Sequence, residues 1–299
     1  MAKVLCFGSL NIDYVYKVDH FVQKGETISS TALNVFCGGK GLNQSVTLGK
    51  AGCEAYHAGL IGEDGIFLLD MLTDSGVDVS QVGVSKEVRS GNALIQNDAE
   101  GDNCIILYPG ANFAITKEQA DEVFRNFGKG DYIVLQNEIS ELAYIVRQAK
   151  DKGMIIVLNP SPMNERLTSE ILDAADWMVL NEIEAMQLTG CAQDGEEGLA
   201  AALRKRFPHS RFVLTLGVNG SCYIDSRTRV HQDIFSADVV DTTAAGDTYT
   251  GYFIAGLLKG WDIPRCLRVA AKASSITVSR EGAAPSVPWM REVEEGMDN

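Results

Sequence analysis

The sequence predicts an α/β protein with a mostly parallel central sheet covered by helices, and a second, smaller β-sheet outside that core. Short apolar runs alternate with amphipathic segments through most of the chain, which is typical of parallel strands packed between helices. Two pairs of β-like segments, within 14–36 and 89–108, interrupt this alternation. The 299 residues, 45% hydrophobic and 22% charged, suit one large domain with a small appendage.

The first apolar run, residues 4–8, predicts a buried parallel strand that ends in glycine. Asn11 and Asp13 follow it, at the end of the strand where open α/β sheets bind ligands. An amide and a carboxylate two residues apart on an extended chain can grip adjacent sugar hydroxyls. Asn and Asp also favour turns, so a turn is the alternative interpretation.

The remaining core elements follow in chain order as strands and helices that alternate. Strands are predicted at 55–62, 132–136, 154–159, 177–180 and 212–216. Helices are predicted at 66–75, 116–127, 142–152, 171–175, 182–188, 196–207 and 263–279, with a further helix after residue 246.

The small sheet is predicted from β-like segments at 14–18, 30–36, 90–96 and 103–108. Its last segment, Cys104–Tyr108, is apolar on both faces, and an outer sheet of this kind needs cover on each side. One face could close over a substrate and the other could meet a second subunit. An ordinary extension of the main sheet is the alternative.

Composition argues against several classes of partner and site. The net charge of −14 and pI of about 4.7 argue against nucleic acid and anionic membranes. No apolar run reaches the ~20 residues of a membrane span, and the N-terminus lacks the form of a signal peptide. Seven scattered cysteines without a CxxC pair indicate reduced thiols in the cytoplasm. The four histidines are isolated in the sequence, so a zinc site is not expected.

The stretch from Asp241 to Gly251 carries the chemistry. Small residues are followed by an apolar helical pattern, so Ala244, Ala245 and Gly246 should lie at a helix start, where backbone N–H groups and the helix dipole favour an anion. Asp247 then falls in the first turn. A carboxylate there could accept a proton from a hydroxyl that attacks a phosphate. The alternative is a helix-terminal carboxylate beside a packing glycine.

A second glycine cluster, Cys37–Gln44, fits neither the GxxxxGK[ST] phosphate loop nor the GxGxxG dinucleotide motif. Together with 241–251, it resembles the two signatures of the PfkB family of sugar kinases, and among them the ribokinases. The resemblance runs from 8–13 to 282–289, nearly the whole chain. It implies an ATP-dependent kinase with a ribokinase-like three-layer α/β/α core and a small β-sheet lid. The core would comprise residues 1–13, 37–88 and 109–299, and the lid 14–36 and 89–108.

The resemblance also implies roles for individual residues. Asp247 would be the base, and Ala244, Ala245 and Gly246 would complete the catalytic anion hole. The sugar would be held by Asn11, Asp13, Gly39, Lys40, Gly41, Asn43, Glu138 and Asp247. ATP would contact Asn181, Thr215, Leu216, Gly217, Gly220 and Gly246.

Metal sites follow from the same resemblance. Asn181-Glu-Ile-Glu184 matches the NxxE motif of the family, so Glu184 would bind Mg²⁺ through a water molecule. The same residues could instead cap the start of a helix, and the two roles are compatible. A K⁺ site built mainly from backbone carbonyls is implied at Asp241, Thr243, Thr277, Arg280, Gly282 and Ser286. Ribokinases often place an Asn near the adenine of ATP. This chain has Ala-Ala-Lys at the matching positions, 270–272, so no residue is assigned to contact adenine.

The sequence therefore predicts a cytoplasmic enzyme that binds ATP and a small sugar, forms ribose 5-phosphate and dimerises through the lid. Nucleic acid and membranes are not expected partners. A kinase for another sugar, such as a ketohexose, would share the catalytic residues. A nucleoside kinase would need aromatic lid residues, and Tyr14, Tyr16 and Tyr108 keep that possibility open. A sugar sensor on an inactive kinase scaffold is the alternative outside enzymes.

Overall fold

A computed structural model of the chain describes residues 2–100, 102–192 and 195–297. Its strands are β1 (Val4–Phe7), β2 (Asn11–Lys17), β3 (Ala32–Gly38), β4 (Ala55–Gly62), β5 (Val77–Ser85), β6 (Gly91–Asn97), β7 (Asn103–Tyr108), β8 (Tyr132–Gln136), β9 (Ile155–Asn159), β10 (Trp177–Asn181), β11 (Arg211–Thr215), β12 (Ser221–Ile224) and β13 (Arg229–Gln232). Its α-helices are α1 (Lys40–Lys50), α2 (Ile66–Asp74), α3 (Lys117–Val123), α4 (Leu142–Asp151), α5 (Ser169–Asp173), α6 (Glu182–Thr189), α7 (Gly195–Arg206), α8 (Ala245–Leu258), α9 (Ile263–Val278) and α10 (Met290–Met297).

Nine strands form the large sheet, in the order β13-β12-β11-β10-β9-β8-β1-β4-β5. The pairs from β11 to β5 are parallel, and β12 and β13 add an antiparallel edge. The predicted mostly parallel sheet is therefore confirmed.

The central sheet is covered on both faces. Alternate residues of β1 belong to different apolar clusters: Val4 and Cys6 to one, Leu5 and Phe7 to the other. The first cluster includes residues of α1, α2, α8, α9 and α10, and the second includes residues of α3 to α7. Because successive side chains of a strand point to opposite faces, the two clusters are the two interfaces of a three-layer α/β/α core.

The small sheet has four strands in the order β3-β2-β6-β7. Its second strand begins at Asn11, which pairs with Gly38 of β3 and Gly91 of β6. Asn11 and Asp13 therefore lie on the small sheet, whereas we expected residues up to 13 to extend from the first core strand. Only residues 8–10 separate β1 from β2, so the chain passes from one sheet to the other almost directly.

Some elements differ from the sequence prediction. The helix expected over 116–127 ends at Val123, and a 3₁₀ turn, Phe124–Asn126, follows it. Strands β5, β12 and β13 and helix α10 were not predicted. The three strands occupy the two edges of the large sheet, and two of them have only four residues, so their hydrophobic signal is weak.

Candidate active site

The site is built around the start of α8. Ala244 precedes the helix in the left-handed conformation, at φ 60°, which an alanine seldom adopts. The chain therefore turns sharply into the helix, and the N–H groups of Gly246 and Asp247 lie in its first turn, without carbonyl partners in the helix. This arrangement presents backbone donors and the positive end of the helix dipole to the same space as the Asp247 carboxylate.

Two neighbouring amides of α1 hold that carboxylate. Asn43 Nδ2 donates to Asp247 Oδ2 over 3.1 Å, and Gln44 Nε2 donates to Asp247 Oδ1 over 2.9 Å. Helices α1 and α8 approach closely here, because a Cβ at Gly251 would lie 2.5 Å from Thr47 Cγ2. Asn43 Oδ1 is buried and has no hydrogen-bond partner among the described residues, so its capacity to accept a hydrogen bond is unused.

A second carboxylate, Glu138, follows β8 and reaches the start of α1. Glu138 accepts hydrogen bonds from the Ser9 hydroxyl and, over 3.1 Å, from the Lys40 backbone N–H. Burial raises the pKa of Glu138, while Ser9 and Lys40 act in the opposite direction. Gly41 lets α1 approach β1, because a Cβ there would lie 2.3 Å from the Ser9 nitrogen.

Asp13 lies beside Glu138 at the small sheet. Burial, together with the charge of Glu138, raises the pKa of Asp13 to about 7. A Cβ at Gly38 would lie 1.9 Å from Asp13 Oδ2, so only glycine leaves room for this carboxylate. The next residue, Gly39, has φ 94° and turns the chain into α1.

Asn11 is fixed by a residue that the sequence did not single out. Its Oδ1 accepts from Asn112 Nδ2 over 2.7 Å, and Asn112 Oδ1 in turn accepts from the Leu10 backbone N–H over 3.0 Å. This leaves the Asn11 amide nitrogen available as a donor, which suits a sugar hydroxyl.

A cavity of about 230 Å³ lies at the start of α8 and reaches Lys40 at the start of α1. Its lining includes Lys40, Asn159, Asn181, Glu184, Thr215, Thr242, Ala244, Ala245, Gly246, Asp247 and Thr250. Burial lowers the pKa of Lys40, but the charges of Asp247, Glu138 and Glu184 outweigh it and raise the pKa overall. Lys40 is therefore a cation directed at a space that also holds helix N–H donors, as an anion site requires.

An adjoining cavity of about 590 Å³ shares Asn181, Thr215, Thr242, Ala245 and Gly246 with the first. Its outer walls are largely apolar, and of these residues the sequence analysis had placed only the neighbourhood of Ala271 near adenine: Val218, Ile234, Phe235, Val239, Ala271 and Val278. Gly217 and Gly220 also line it. A polar phosphate-sized space that opens into an apolar space of this volume has the form of a nucleotide site.

Asn181 and Glu184 form the cap of α6. Asn181 Oδ1 accepts from the Glu184 N–H over 2.9 Å, and Glu184 Oε2 accepts from the Asn181 N–H over 3.0 Å. The capping interpretation is thus confirmed, and Glu184 still faces the smaller cavity. Among the described residues, no three His, Cys, Asp or Glu side chains cluster as a metal site.

Asp241 organises the loop before α8. Its Oδ1 accepts from the N–H and hydroxyl of Thr243, over 2.8 and 2.6 Å, and its Oδ2 accepts from the Gly282 N–H over 3.0 Å. Partial burial acts to raise the pKa of Asp241, but these hydrogen bonds outweigh burial and lower the pKa. Thr277 bonds to Thr248 of α8, within reach of the same region.

The other residues predicted at the cation loop point elsewhere. The Arg280 guanidinium pairs with Glu292, and the Ser286 hydroxyl donates to the Ala283 carbonyl. Any part these two residues play in a cation site would therefore come from their backbones. Leu216, predicted to contact ATP, is buried and lines neither cavity.

The two faces of the small sheet differ. Register places Ala93 beside Asp13, and Ile12, Asn92 and Tyr108 together on the opposite face. Tyr14 and Tyr16 share that opposite face, since they alternate with Asp13. The tyrosines therefore point away from the carboxylate that would hold a sugar.

A sequence profile of the pfkB family carbohydrate kinases matches residues 1–290. The chain belongs to the PfkB family of carbohydrate kinases. Ribokinase of Staphylococcus aureus (strain COL) is 33% identical over 97% of this chain and 98% of its own length. Deoxyribokinase of Salmonella typhi is 28% identical, covering 98% and 97% of the two chains. The structure of Arabidopsis thaliana ribokinase complexed with ribose and ATP superposes with a TM-score of 0.91, at 31% identity and 100% coverage of both chains.

Membership of the PfkB family agrees with the geometry, and several contributors to the site were missed from sequence. Ser9 and Gln44 stand inside the motifs that carry the resemblance, so their positions were a usable signal. Asn112 lies in a loop outside any motif, and the apolar wall at 234–239 has no regular period; neither gave a signal.

Proposed function

We propose that the chain transfers the γ-phosphoryl group of ATP to the primary hydroxyl of D-ribose. One observation carries the proposal: the Asp247 carboxylate lines the same cavity as Lys40 and the start of α8, and the Lys40 backbone bonds to Glu138, whose charge acts on Asp13. A base at that junction can accept the proton of a hydroxyl that attacks a phosphate.

The sugar is held by complementary polar groups. Asp13 and Glu138 accept from ring hydroxyls, while the amides of Asn11 and Asn43 both donate and accept. Gly39 and Gly41 bring backbone close to the sugar, and Ala93 and Ile95 limit its size from the Asp13 face of the small sheet. Pairing with every hydroxyl disfavours analogues that lack one.

ATP lies in the two joined cavities, with phosphates against Gly246 and Lys40 and the nucleoside between Gly217, Gly220 and the apolar wall. Asn181 and Thr215 stand at the junction, and Leu216 supports the loop from beneath. Mg²⁺ would be held by the phosphates and, through water, by Glu184, and when bound it neutralises charge on the phosphoryl group. The chain's own contribution is to align the reactants and to supply the N–H groups of 245–247.

A monovalent cation, K⁺, would complete the loop that leads into α8. Asp241 already draws Thr243 and Gly282 together, and Thr277 bonds the end of α9 to α8 beside this loop. Backbone carbonyls of this loop, including those of Arg280 and Ser286, are suitable oxygen ligands. A bound cation would hold the N–H groups of 245–247 in place for the phosphate.

The small sheet, 14–36 with 89–108, is proposed as a lid over the sugar and as the dimer interface. Apolar side chains on the face opposite Asp13 are exposed in the single chain, including Val35, Ile106 and Tyr108. A surface of this kind needs a partner, and a second copy of the lid offers a matching one. Cys6, Cys37, Cys53, Cys104, Cys222 and Cys266 are free thiols, which supports a cytoplasmic enzyme. No described helix is long and apolar enough to cross a membrane.

Two other activities are disfavoured by specific observations. A nucleoside kinase would use aromatic lid residues toward its substrate, but Tyr14, Tyr16 and Tyr108 lie on the other face, which leaves Phe36 as the aromatic residue of the lid strands beside Asp13. A sugar sensor has no need of a carboxylate held by two amides beside an anion cavity. A ketohexose kinase would use the same catalytic residues, so only a comparison of sugar substrates distinguishes it from a ribose kinase.

The test is ADP release from ATP and Mg²⁺ with D-ribose, 2-deoxyribose, fructose and adenosine, using the Asp247→Asn protein as the control for contaminating activity. We expect the highest kcat/KM for ribose and a markedly lower one for 2-deoxyribose, which lacks a hydroxyl. A tenfold preference for fructose or adenosine, about 1.4 kcal/mol, would overturn the choice of ribose. Absence of ADP release with every acceptor would overturn the kinase assignment.

A further inference from the structure

We propose that Gln44 and Gln136 form a positioning pair that fixes the orientation of the Asp247 carboxylate, a proposal that rests on the role of Asp247 as the base. Gln44 Nε2 donates to Asp247 Oδ1 over 2.9 Å, and Gln44 Oε1 accepts from Gln136 Nε2 over 2.6 Å. Both glutamines are fully buried. The result is a hydrogen-bonded chain from β8, in the centre of the large sheet, to the reacting carboxylate.

The polarity of this chain follows from its end. An ionised carboxylate only accepts hydrogen bonds, so the Gln44 atom facing Asp247 must be the nitrogen. The Gln44 oxygen therefore faces Gln136, and Gln136 must offer its own nitrogen. Each amide has a single orientation that satisfies its neighbour.

This arrangement leaves one polar atom unsatisfied. Gln136 Oε1 is buried and has no hydrogen-bond partner among the described residues. Gly8 makes the space for it, since a Cβ at that position would lie 2.3 Å from Gln136 Oε1. Buried polar groups are rarely left unpaired, and the exceptions need an explanation. Holding Gln44 in the orientation that serves Asp247 provides one.

Asp247 needs such a restraint because the terminal torsion of an aspartate is broad and is not fixed by rotamer preference. Asn43 holds the other oxygen, but the proposed function also assigns Asn43 to the sugar. Gln44 is buried among protein groups, including Asn159 Oδ1 at 3.4 Å. Its hydrogen bond therefore orients the carboxylate independently of whether sugar is bound.

The test compares Gln44→Met, Gln136→Met and the double variant, with kcat, the KM for ribose and Tm measured for each. Ser45→Ala is the matched control, because Ser45 is a buried polar residue of the same helix that bonds to His57 over 2.7 Å and not to Asp247. We expect Gln44→Met to lower kcat about 10- to 100-fold, as for a misplaced reacting group, with the KM for ribose changed less than about twofold.

The double variant decides whether the two residues act in series. If Gln136 acts through Gln44, Gln136→Met lowers kcat by a smaller factor, and the double variant matches Gln44→Met. Should Gln44→Met not fold, Gln44→Asn replaces it, because the shorter amide cannot reach both partners and should show the same loss of kcat.

Three results would overturn the proposal: an unchanged kcat in Gln44→Met, single losses that multiply in the double variant, or an equal loss of kcat in Ser45→Ala. If Asp247→Asn is inactive while Gln44→Met has wild-type kcat, the positioning pair is wrong and the proposed function stands. If Asp247→Asn retains activity, the proposed function itself fails.

Discussion

Replacing Asp247 with asparagine separates catalysis from binding. Both carboxylate oxygens accept from amide nitrogens, Asn43 Nδ2 at 3.1 Å and Gln44 Nε2 at 2.9 Å. An asparagine has one acceptor oxygen, so its NH₂ group must face one of these donors. The variant loses the general base, and it also loses one hydrogen bond to a charged group. A hydrogen bond of that kind contributes about 1.5–3 kcal/mol to the free energy of unfolding.

Loss of a general base lowers the rate about 10²–10⁴-fold, equivalent to about 2.7–5.4 kcal/mol in the activation barrier. We expect kcat for ADP release to fall by this factor, while calorimetric binding of ribose persists because Asp13 and Glu138 remain. Asp262→Asn is the control, because it also replaces a carboxylate with an amide, but at the N-cap of α9, where asparagine caps as well as aspartate. A kcat above about a third of wild type, well short of that loss, would refute the assignment.

Four further predictions concern the substrate pocket, the loop and the lid. Gly38→Ala should raise the KM for ribose more than it lowers kcat, because the new Cβ displaces the Asp13 carboxylate; equal kinetics to wild type would contradict this. Asp13→Asn should raise Tm at pH 8, because there the wild-type carboxylate is ionised although the folded protein raises its pKa to about 7. The gain in Tm should shrink toward pH 4, where the folded protein holds this carboxylate protonated, and a difference in Tm that stays constant with pH would contradict the prediction. K⁺ should activate the enzyme relative to K⁺-free buffer of the same ionic strength, and equal rates would exclude the site at Asp241. Light scattering should show a dimer at micromolar concentration, burying at least about 1,000 Å², and Ile106→Asp should make it monomeric; a monomeric wild-type protein would exclude the lid interface.

Much of the fold could be predicted because local pattern and tertiary environment agree. The strand at 132–136 and the helix beginning at 142 occur as expected, since a buried parallel strand is a continuous apolar run and an amphipathic helix repeats its apolar residues. The three-residue 3₁₀ turn after Val123 and the four-residue strand β12 are too short for a periodic pattern to indicate them.

The candidate site shows the same division. Asp247 and Asn43 stand in glycine-rich motifs whose composition indicates their position. The hydrogen bonds that make the site specific join residues far apart in sequence, such as Asn112 to Asn11 and Gln136 to Gln44. A single sequence cannot show such pairs. The placement of Tyr108 on the face opposite Asp13 also follows from strand pairing and not from composition.

The start of β2 at Asn11 has a mechanical consequence. Asp13 moves with the small sheet, whereas Glu138 and Asp247 belong to elements of the large one. In the proposed site, a sugar that contacts Asp13 and Glu138 would link two bodies, the small sheet and the large sheet, which the chain otherwise connects through short segments such as 8–10. Amide hydrogens of β2 and β6 should therefore exchange more slowly when the sugar is present, and release of the phosphorylated product should be governed by how fast these two bodies separate.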